Sequence, residues 1–375
     1  MLWDMEQAAT PTAALDTILD RLARFEPATL PVISLYLNVQ PDQHGQDHYA
    51  PFVRKELHAR ARTYPPRSDA RDSFDRDVER IEQYLATELS ASANGVAIFA
   101  CSGRDGFFEA LSLDVPIPRH RLSVSHEPHL YPLELLLDQY PPHALVLADS
   151  HAARLFVFAL GRTIREQTVT GEKINHSSVG GWSQMRYQRH VEKLRAEHAR
   201  ELVKALERVV HEEKVEHIVL AGDEVNIPLV KNELSKELAA KVIEVLKLEI
   251  RTPEQEVMKA AAEALRRHDA KSDAEVVERI LGDYRAGGLA VAGPAETRDA
   301  LVNGQVDELY LTATNTPAPG GDEATADELV AKARQSSARV RFIEDAVLLA
   351  AVGGVAAALR YRVDAPSVRK GPEIL

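Results

Sequence analysis

The chain has a single cysteine in 375 residues, Cys101, which excludes an internal disulfide and any multi-cysteine zinc site. It has no run of about 18 consecutive apolar residues, so no membrane-spanning helix is expected. Its first ten residues carry acids where a leader peptide would carry bases followed by an apolar stretch. Together these absences predict a cytoplasmic chain without a membrane partner, with Cys101 as a core thiol at a strand end. No phosphate-binding GxxxxGK[ST] loop is present, so the chain itself is not expected to hydrolyse a nucleotide. A zincin helix is missing as well, because Val215 stands where the second histidine after His211-Glu212 would have to be. The expectation is no metal and no cofactor. A basic excess is also lacking: the net charge is −12, which argues against a general nucleic-acid coat.

What is present is a folded, soluble composition, 27% charged and 45% apolar, on a chain too long for one ordinary core. The charge is uneven. Residues 1–142 hold 21 acids and 13 bases, residues 143–285 hold 24 and 23, and residues 286–375 hold 12 and 9. The nearly neutral middle segment has the least repulsion to overcome in meeting RNA phosphates. Those three segments are also the expected domains.

In residues 1–142, a helical start leads to a strand over Val32–Val39. Two helices between Phe52 and Leu89 are split at Pro65-Pro66, and a strand pair, Val96–Ala100 and Phe107–Leu113, surrounds the Ser102–Gly106 turn. In residues 143–285, three strands (Ala144–Asp149, Arg154–Leu160, Thr163–Thr170) precede a loop over Gly171–Gln184 and a long amphipathic helix, roughly Met185–Glu213. A strand over Glu216–Ala221, one helix over Ile227–Ala239, a strand over Val242–Leu248 and a helix from Pro253 complete a βββαβαβα order. Residues 286–375 read as helix Pro294–Val302, strand Glu308–Thr312, a Pro- and Gly-rich loop Asn315–Thr325, helix Ala326–Gln335, strand Arg339–Ile343 and a last strand ending at Tyr361-Arg362. The fold class is therefore α/β throughout.

The most unusual local sequence is Gly180-Gly181-Trp182-Ser183-Gln184. Two glycines permit tight or left-handed backbone. A glutamine has no useful pKa, so its chemical use is to orient water or to stabilise an oxyanion, as ester or acyl transfer requires. A helix-preceding loop with Ser183 as a cap is the plainer account of the same residues. On the helix that follows, Arg186, Arg189, Lys193, Arg200 and Lys204 share one side of the helical wheel, opposite Val191, Leu194, Leu202, Leu206 and Val209. These five bases are the candidate RNA contacts, although Glu197 and Glu207 dilute the stripe and a solvated mixed-charge face is the competing account. His198 falls on the apolar side and is expected in the core.

With these residues on the page, the stretches VLADSHAARLFVF, GGWSQMRYQRH and GGVAAALRY resemble the bacterial members of the archaeo-eukaryotic release factor superfamily. The resemblance spans nearly the whole chain. ISLYLNV, FVRKELHARA, NGVAIFA and LELLLDQY follow the order of the N-terminal decoding-side domain of those factors. The resemblance then implies a central ribonuclease-H-like domain bearing the catalytic loop. It also implies a C-terminal α/β sandwich, like kink-turn-binding ribosomal proteins, that contacts a translational GTPase. It makes Gln184 the catalytic candidate, with Gly180 and Gly181 shaping its loop. Two departures stand out: Trp182 and Ser183 separate Gly181 from Gln184 where release factors have contiguous Gly-Gly-Gln, and ARARTYPPR replaces the stop-codon-reading Asn-Ile-Lys-Ser. The expected function is a codon-independent rescue factor that enters the ribosomal A site, contacts rRNA and tRNA, and hydrolyses peptidyl-tRNA. The alternative is a non-catalytic hibernation factor, like the Pelota-related proteins called Balon. A weaker third reading is an RNA nuclease or tRNA-binding protein with Mg²⁺ held by Asp149 and Asp223.

Overall fold

A computed structural model describes residues 11–41, 48–150, 152–170, 182–313 and 323–362. These divide into two compact units, residues 1–129 with 139–269, and residues 130–138 with 270–375. Among the described residues three sheets carry the fold, and the α/β class read from the sequence is the one observed.

The first unit opens with α1 (Pro11–Ala23) and β1 (Val32–Asn38), then α2 (Tyr49–Ala61), α3 (Asp69–Thr87), β2 (Gly95–Cys101), β3 (Phe107–Leu113) and β4 (Arg121–Ser125). The sheet order is β3-β2-β1-β4, antiparallel throughout. Val53 and Leu57 of α2 and Phe74, Val78 and Ile81 of α3 bury against Ile33, Leu35, Val96 and Ile98, which makes one core from alternate strand residues and helical rows. The proline pair separates the helices as expected. α3 restarts where extended Ser68 accepts a bond from the Arg71 amide at 3.2 Å, with Asp69 and Asp72 at the positive end of the helix. Cys101 is buried, and its thiol is pushed up by burial.

On α3, Asp77 is 2% exposed and accepts hydrogen bonds from the Ser102 amide (2.8 Å) and hydroxyl, pinning the β2–β3 turn; its other oxygen has no partner among the described residues. Burial pushes its carboxyl up to about 6, against the lowering effect of the two Ser102 bonds.

The second sheet is formed by β5 (His143–Ala148), β6 (Ala152–Ala159), β7 (Arg162–Thr170), β8 (His217–Gly222) and β9 (Val242–Leu246), in the order β7-β6-β5-β8-β9. The first three run as an antiparallel meander, and β8 and β9 are parallel to β5. This is the ribonuclease-H-like arrangement implied by the resemblance. Helices cover both faces. α5 (Trp182–Glu212), α6 (Asn226–Glu233) and α7 (Lys236–Lys241) pack on one, and α8 (Glu254–Arg285) on the other. Strands covered on both sides must be apolar along their length, which is why β5 reads as an unbroken hydrophobic run.

Two sequence expectations change here. The single helix expected over Ile227–Ala239 is two, because Leu234 leaves the helix in extended geometry and Ser235 caps a new one by accepting from the Leu238 amide at 3.2 Å. The long helix begins at Trp182 instead of Met185, which moves Ser183 and Gln184 from loop to helix.

The second unit holds β10 (Ala290–Ala292), α9 (Pro294–Val302), β11 (Val306–Thr312), α10 (Glu323–Gln335), β12 (Arg339–Ile343), α11 (Ala346–Ala350) and β13 (Val355–Leu359), with sheet order β10-β13-β11-β12. It also takes in one helix from mid-chain, Tyr131–Gln139, which is α4 in chain order. Asp327 of α10 accepts from the Leu130 and Tyr131 amides at 2.6 and 3.1 Å, capping α4 from 197 and 196 positions away. Arg334 grips Glu134 with two bonds of 2.7 and 2.9 Å, both groups buried, and the Phe342 amide donates to Asp138 at 3.0 Å. Neither α4 nor β4, β10 and α11 was foreseen as an element.

Candidate nucleic-acid interface

α5 is a helix of two halves. From Ala199 to Val210 its apolar row is buried, with Leu202, Leu206 and Val209 fully covered against Val146, Leu155, Leu220 and neighbours. His198 is buried, as expected of a core histidine. Ahead of it, Arg189, His190, Glu192, Lys193 and Glu197 are exposed, and Val191 and Leu194 are only half-buried. The far end is tied down by Arg165 of β7, which donates to Glu212 (2.5 Å) and Glu213 (3.3 Å).

The basic stripe is on the outside, but not all of it is available. Arg189 and Lys204 are exposed. Lys193 lies 3.6 Å from Glu197, and Arg200 meets Glu233 of α6 with two contacts of 3.2 Å. Arg200 therefore helps dock α6 as well as face solvent. Exposed pairs of this kind contribute roughly 0–1 kcal/mol and exchange readily for a stronger anion. Gly180 and Gly181 lie outside the described residues, and the side chains of Gln184 and Arg186 do too. The backbone of Gln184 lies in the first turn of α5, where helix amides have no intrahelical acceptor.

The carboxylates at the ends of β5 and β8 are occupied by local structure. Asp223 accepts from the Val225 and Asn226 amides (2.9 and 2.7 Å) and from the Asn226 side chain (2.8 Å), which also reaches the Ser150 hydroxyl at 3.2 Å. Asp149 turns back on the Ser150 amide. Gly222 between them is obligatory: its φ is 151°, and a Cβ there would stand 2.3 Å from the Ala148 carbonyl. Among the described residues no group of three potential ligands surrounds a metal position. No described helix is long and apolar enough to cross a membrane.

A meander with two parallel strands followed by a long helix with a basic outer stripe is the arrangement that the release-factor resemblance implies for the central domain. Residues 128–266 match the model of bacterial archaeo-eukaryotic release factor family 10. This bears out, over the central segment, the resemblance to the bacterial archaeo-eukaryotic release factor superfamily read from the sequence. An uncharacterized Bacillus subtilis (strain 168) protein, YocB, is 23% identical over 245 residues, which are 61% of this chain and 92% of YocB. Among solved structures, Saccharomyces cerevisiae Dom34, a translation termination-like factor, is 13% identical over 72% of this chain and 80% of its own, with a TM-score of 0.43. A ribosome-bound archaeal Pelota is 16% identical over 93% and 94%, with a TM-score of 0.42. The archaeal termination factor aRF1 is 18% identical over 95% and 100%, with a TM-score of 0.28.

Proposed function

We propose that this protein is a ribosome-associated translation factor of three domains, bounded near residues 142 and 285, that enters the A site and hydrolyses the ester of peptidyl-tRNA without reading a codon. The observation that carries this reading is the family match, because residues 128–266 contain both the Gly180–Gln184 segment and the whole of α5. Gln184 serves as an uncharged donor that orients water and bonds the developing oxyanion, beside helix amides that favour negative charge. Gly180 and Gly181 let the segment approach the ester closely. Arg186, Arg189, Lys193, Arg200 and Lys204 hold rRNA or tRNA phosphates, and Lys193 and Arg200 exchange their acids for phosphate on binding. The C-terminal segment supplies the surface for a translational GTPase, as the resemblance implies. The proposed setting is the cytoplasm, where a factor acting on ribosomes works.

One observation favours a second reading. Trp182 and Ser183 separate Gly181 from Gln184, so the contiguous Gly-Gly-Gln of release factors is interrupted in the sequence, and the two intervening residues lie in the helix. A factor that only occupies the A site of idle ribosomes tolerates that interruption. A peptide-release assay on stalled ribosomes decides between the two: release by the native chain that Gln184→Ala abolishes supports the hydrolase, whereas tight binding with no release by either selects the hibernation factor.

A further inference from the structure

α6 ends on an acid set against α5. Its residues Ile227 and Val230 pack into the same core as Ala199, Leu202 and Leu206 of α5. Glu233 continues that row three positions on, so burying the row brings its carboxylate up beside the long helix. There it meets Arg200, 33 positions away in the chain, with both carboxylate oxygens 3.2 Å from Nε. By itself this is a poor place for a carboxylate. Glu233 is the last residue of α6, at the negative end of the helix dipole, and Leu234 has already turned to extended backbone. The Arg200 charge offsets that.

The pair is one-sided. A full-strength arginine–carboxylate pair is a fork with two parallel bonds of roughly 2.7–2.9 Å. Arg200 gives Glu233 only its Nε, and its two Nη groups make no hydrogen bond among the described residues. The Arg200 side chain is 58% exposed and that of Glu233 30%, so the guanidinium is the more open partner to an incoming anion. Along the rest of the stripe, Lys193 is matched locally by Glu197 at 3.6 Å, whereas Arg189 and Lys204 have no acidic partner among the described residues. From Arg189 to Lys204 the stripe is open at its ends and closed in the middle, and one of the two closures is made by a separate helix.

We propose that Glu233 is an autoinhibitory competitor, which occupies Arg200 while no RNA is bound and takes the guanidinium back as RNA leaves, so that α5 holds RNA less tightly than its bases alone would. The inference rests on the reading of α5 as an RNA-contacting helix given above and adds the element that limits the contact. A carboxylate tethered beside the guanidinium competes at an effective concentration set by the fold, independent of what is in solution. Phosphate displaces it by using the Nη fork that Glu233 leaves unused. A factor that must enter and leave ribosomes in turn is served by such a competitor, because free bases cling to any RNA through its phosphates. A pair that merely ties α6 to α5 predicts the other sign: removing Glu233 would loosen the docking of Ile227 and Val230 and would not tighten RNA binding.

The test uses the full chain with purified ribosomes and with protein-free ribosomal RNA. Affinity and dissociation rate are measured at about 50 mM salt, where exposed charges are little screened. The variants are Glu233→Gln, which keeps the size of the side chain, Arg200→Gln, and the two together, each with a urea transition to confirm folding. Glu233→Gln should bind both targets about 2- to 5-fold tighter, the range that an exposed ion pair allows, with the gain in slower dissociation. In the Arg200→Gln background most of that gain should vanish. Unchanged or weaker binding of the Glu233→Gln chain overturns the inference and leaves the pair as a structural tie. An equal gain in both backgrounds overturns it as well, since the carboxylate would then only repel RNA at large. If Arg200→Gln binds like the native chain while charge reversal at Arg186, Arg189 and Lys193 weakens binding, this inference falls alone. If the native chain binds neither target, the ribosome reading falls with it.

Discussion

The two halves of α5 do opposite things with the same secondary structure. Residues 199–210 bury their apolar row against the second sheet, whereas ahead of His198 Arg189 and Lys193 stand exposed and no described side chain belongs to the buried core. One half is an anchor and the other is an exposed arm. A long helix can do both because its rigidity carries position from the packed end to the free end without packing along its whole length. It also means that stability and function should separate along the helix.

The largest effect should come from crossing that boundary with two substitutions. Leu206→Ala, in the anchor, leaves a cavity and should lower unfolding stability by about 2–5 kcal/mol. Urea denaturation measures it, and a loss under about 1 kcal/mol would mean that the anchor is not packed as described. Gln184→Ala, at the free end, should leave that stability unchanged and slow peptidyl-tRNA hydrolysis by about 10²–10³-fold, the usual cost of one oxyanion donor. Equal effects of both variants on melting would erase the distinction between the halves.

Reversing Arg186, Arg189 and Lys193 to Glu sharpens the comparison, since it touches only the arm. Ribosome binding should weaken equally on sense and stop codons, most at low salt, while the melting temperature stays near that of the native chain. Binding unchanged in a sedimentation assay would remove the stripe from the proposal.

The smallest expected effect is at Asp77, a buried charge that contrasts with the exposed charges of the arm. Its folded-state pKa is raised, so the stability it contributes is full below pH 4 and is lost as pH rises through about 6. Asp77→Asn keeps an acceptor for Ser102 and removes that loss. It should be more stable than the native chain at pH 7, by about 1–3 kcal/mol, with the difference closing below pH 4. Denaturant midpoints across that range check the sign, and a variant less stable at every pH would show that ionised Asp77 is needed.

Much of the fold was legible because it rests on local pattern. The unbroken apolar run of β5, the 3.6-residue period of α5, Pro65-Pro66 between α2 and α3, and the βββα opening of the central segment all follow from which residues must be buried. The candidate site was legible in part: Arg189 and Lys204 are exposed and His198 is buried, as their helical positions require. Glu197 is visible in the sequence as a dilution of the stripe, whereas the pairing of Arg200 with Glu233, 33 positions away, has no local signal.

What the sequence determined by itself, then, was the class of fold, the order of most elements and the face that each amphipathic helix turns to the core, since each follows from neighbours a few residues apart. Only the tertiary structure decided where α4 belongs. Its amides are capped by Asp327, its Glu134 is held by Arg334 and its Asp138 by the Phe342 amide, all roughly two hundred positions away. Likewise, the exposed Arg189 and the paired Arg200 are alike as letters. Whether a charge stands alone or is already matched depends on which acids the folded chain brings beside it, and no local period encodes that.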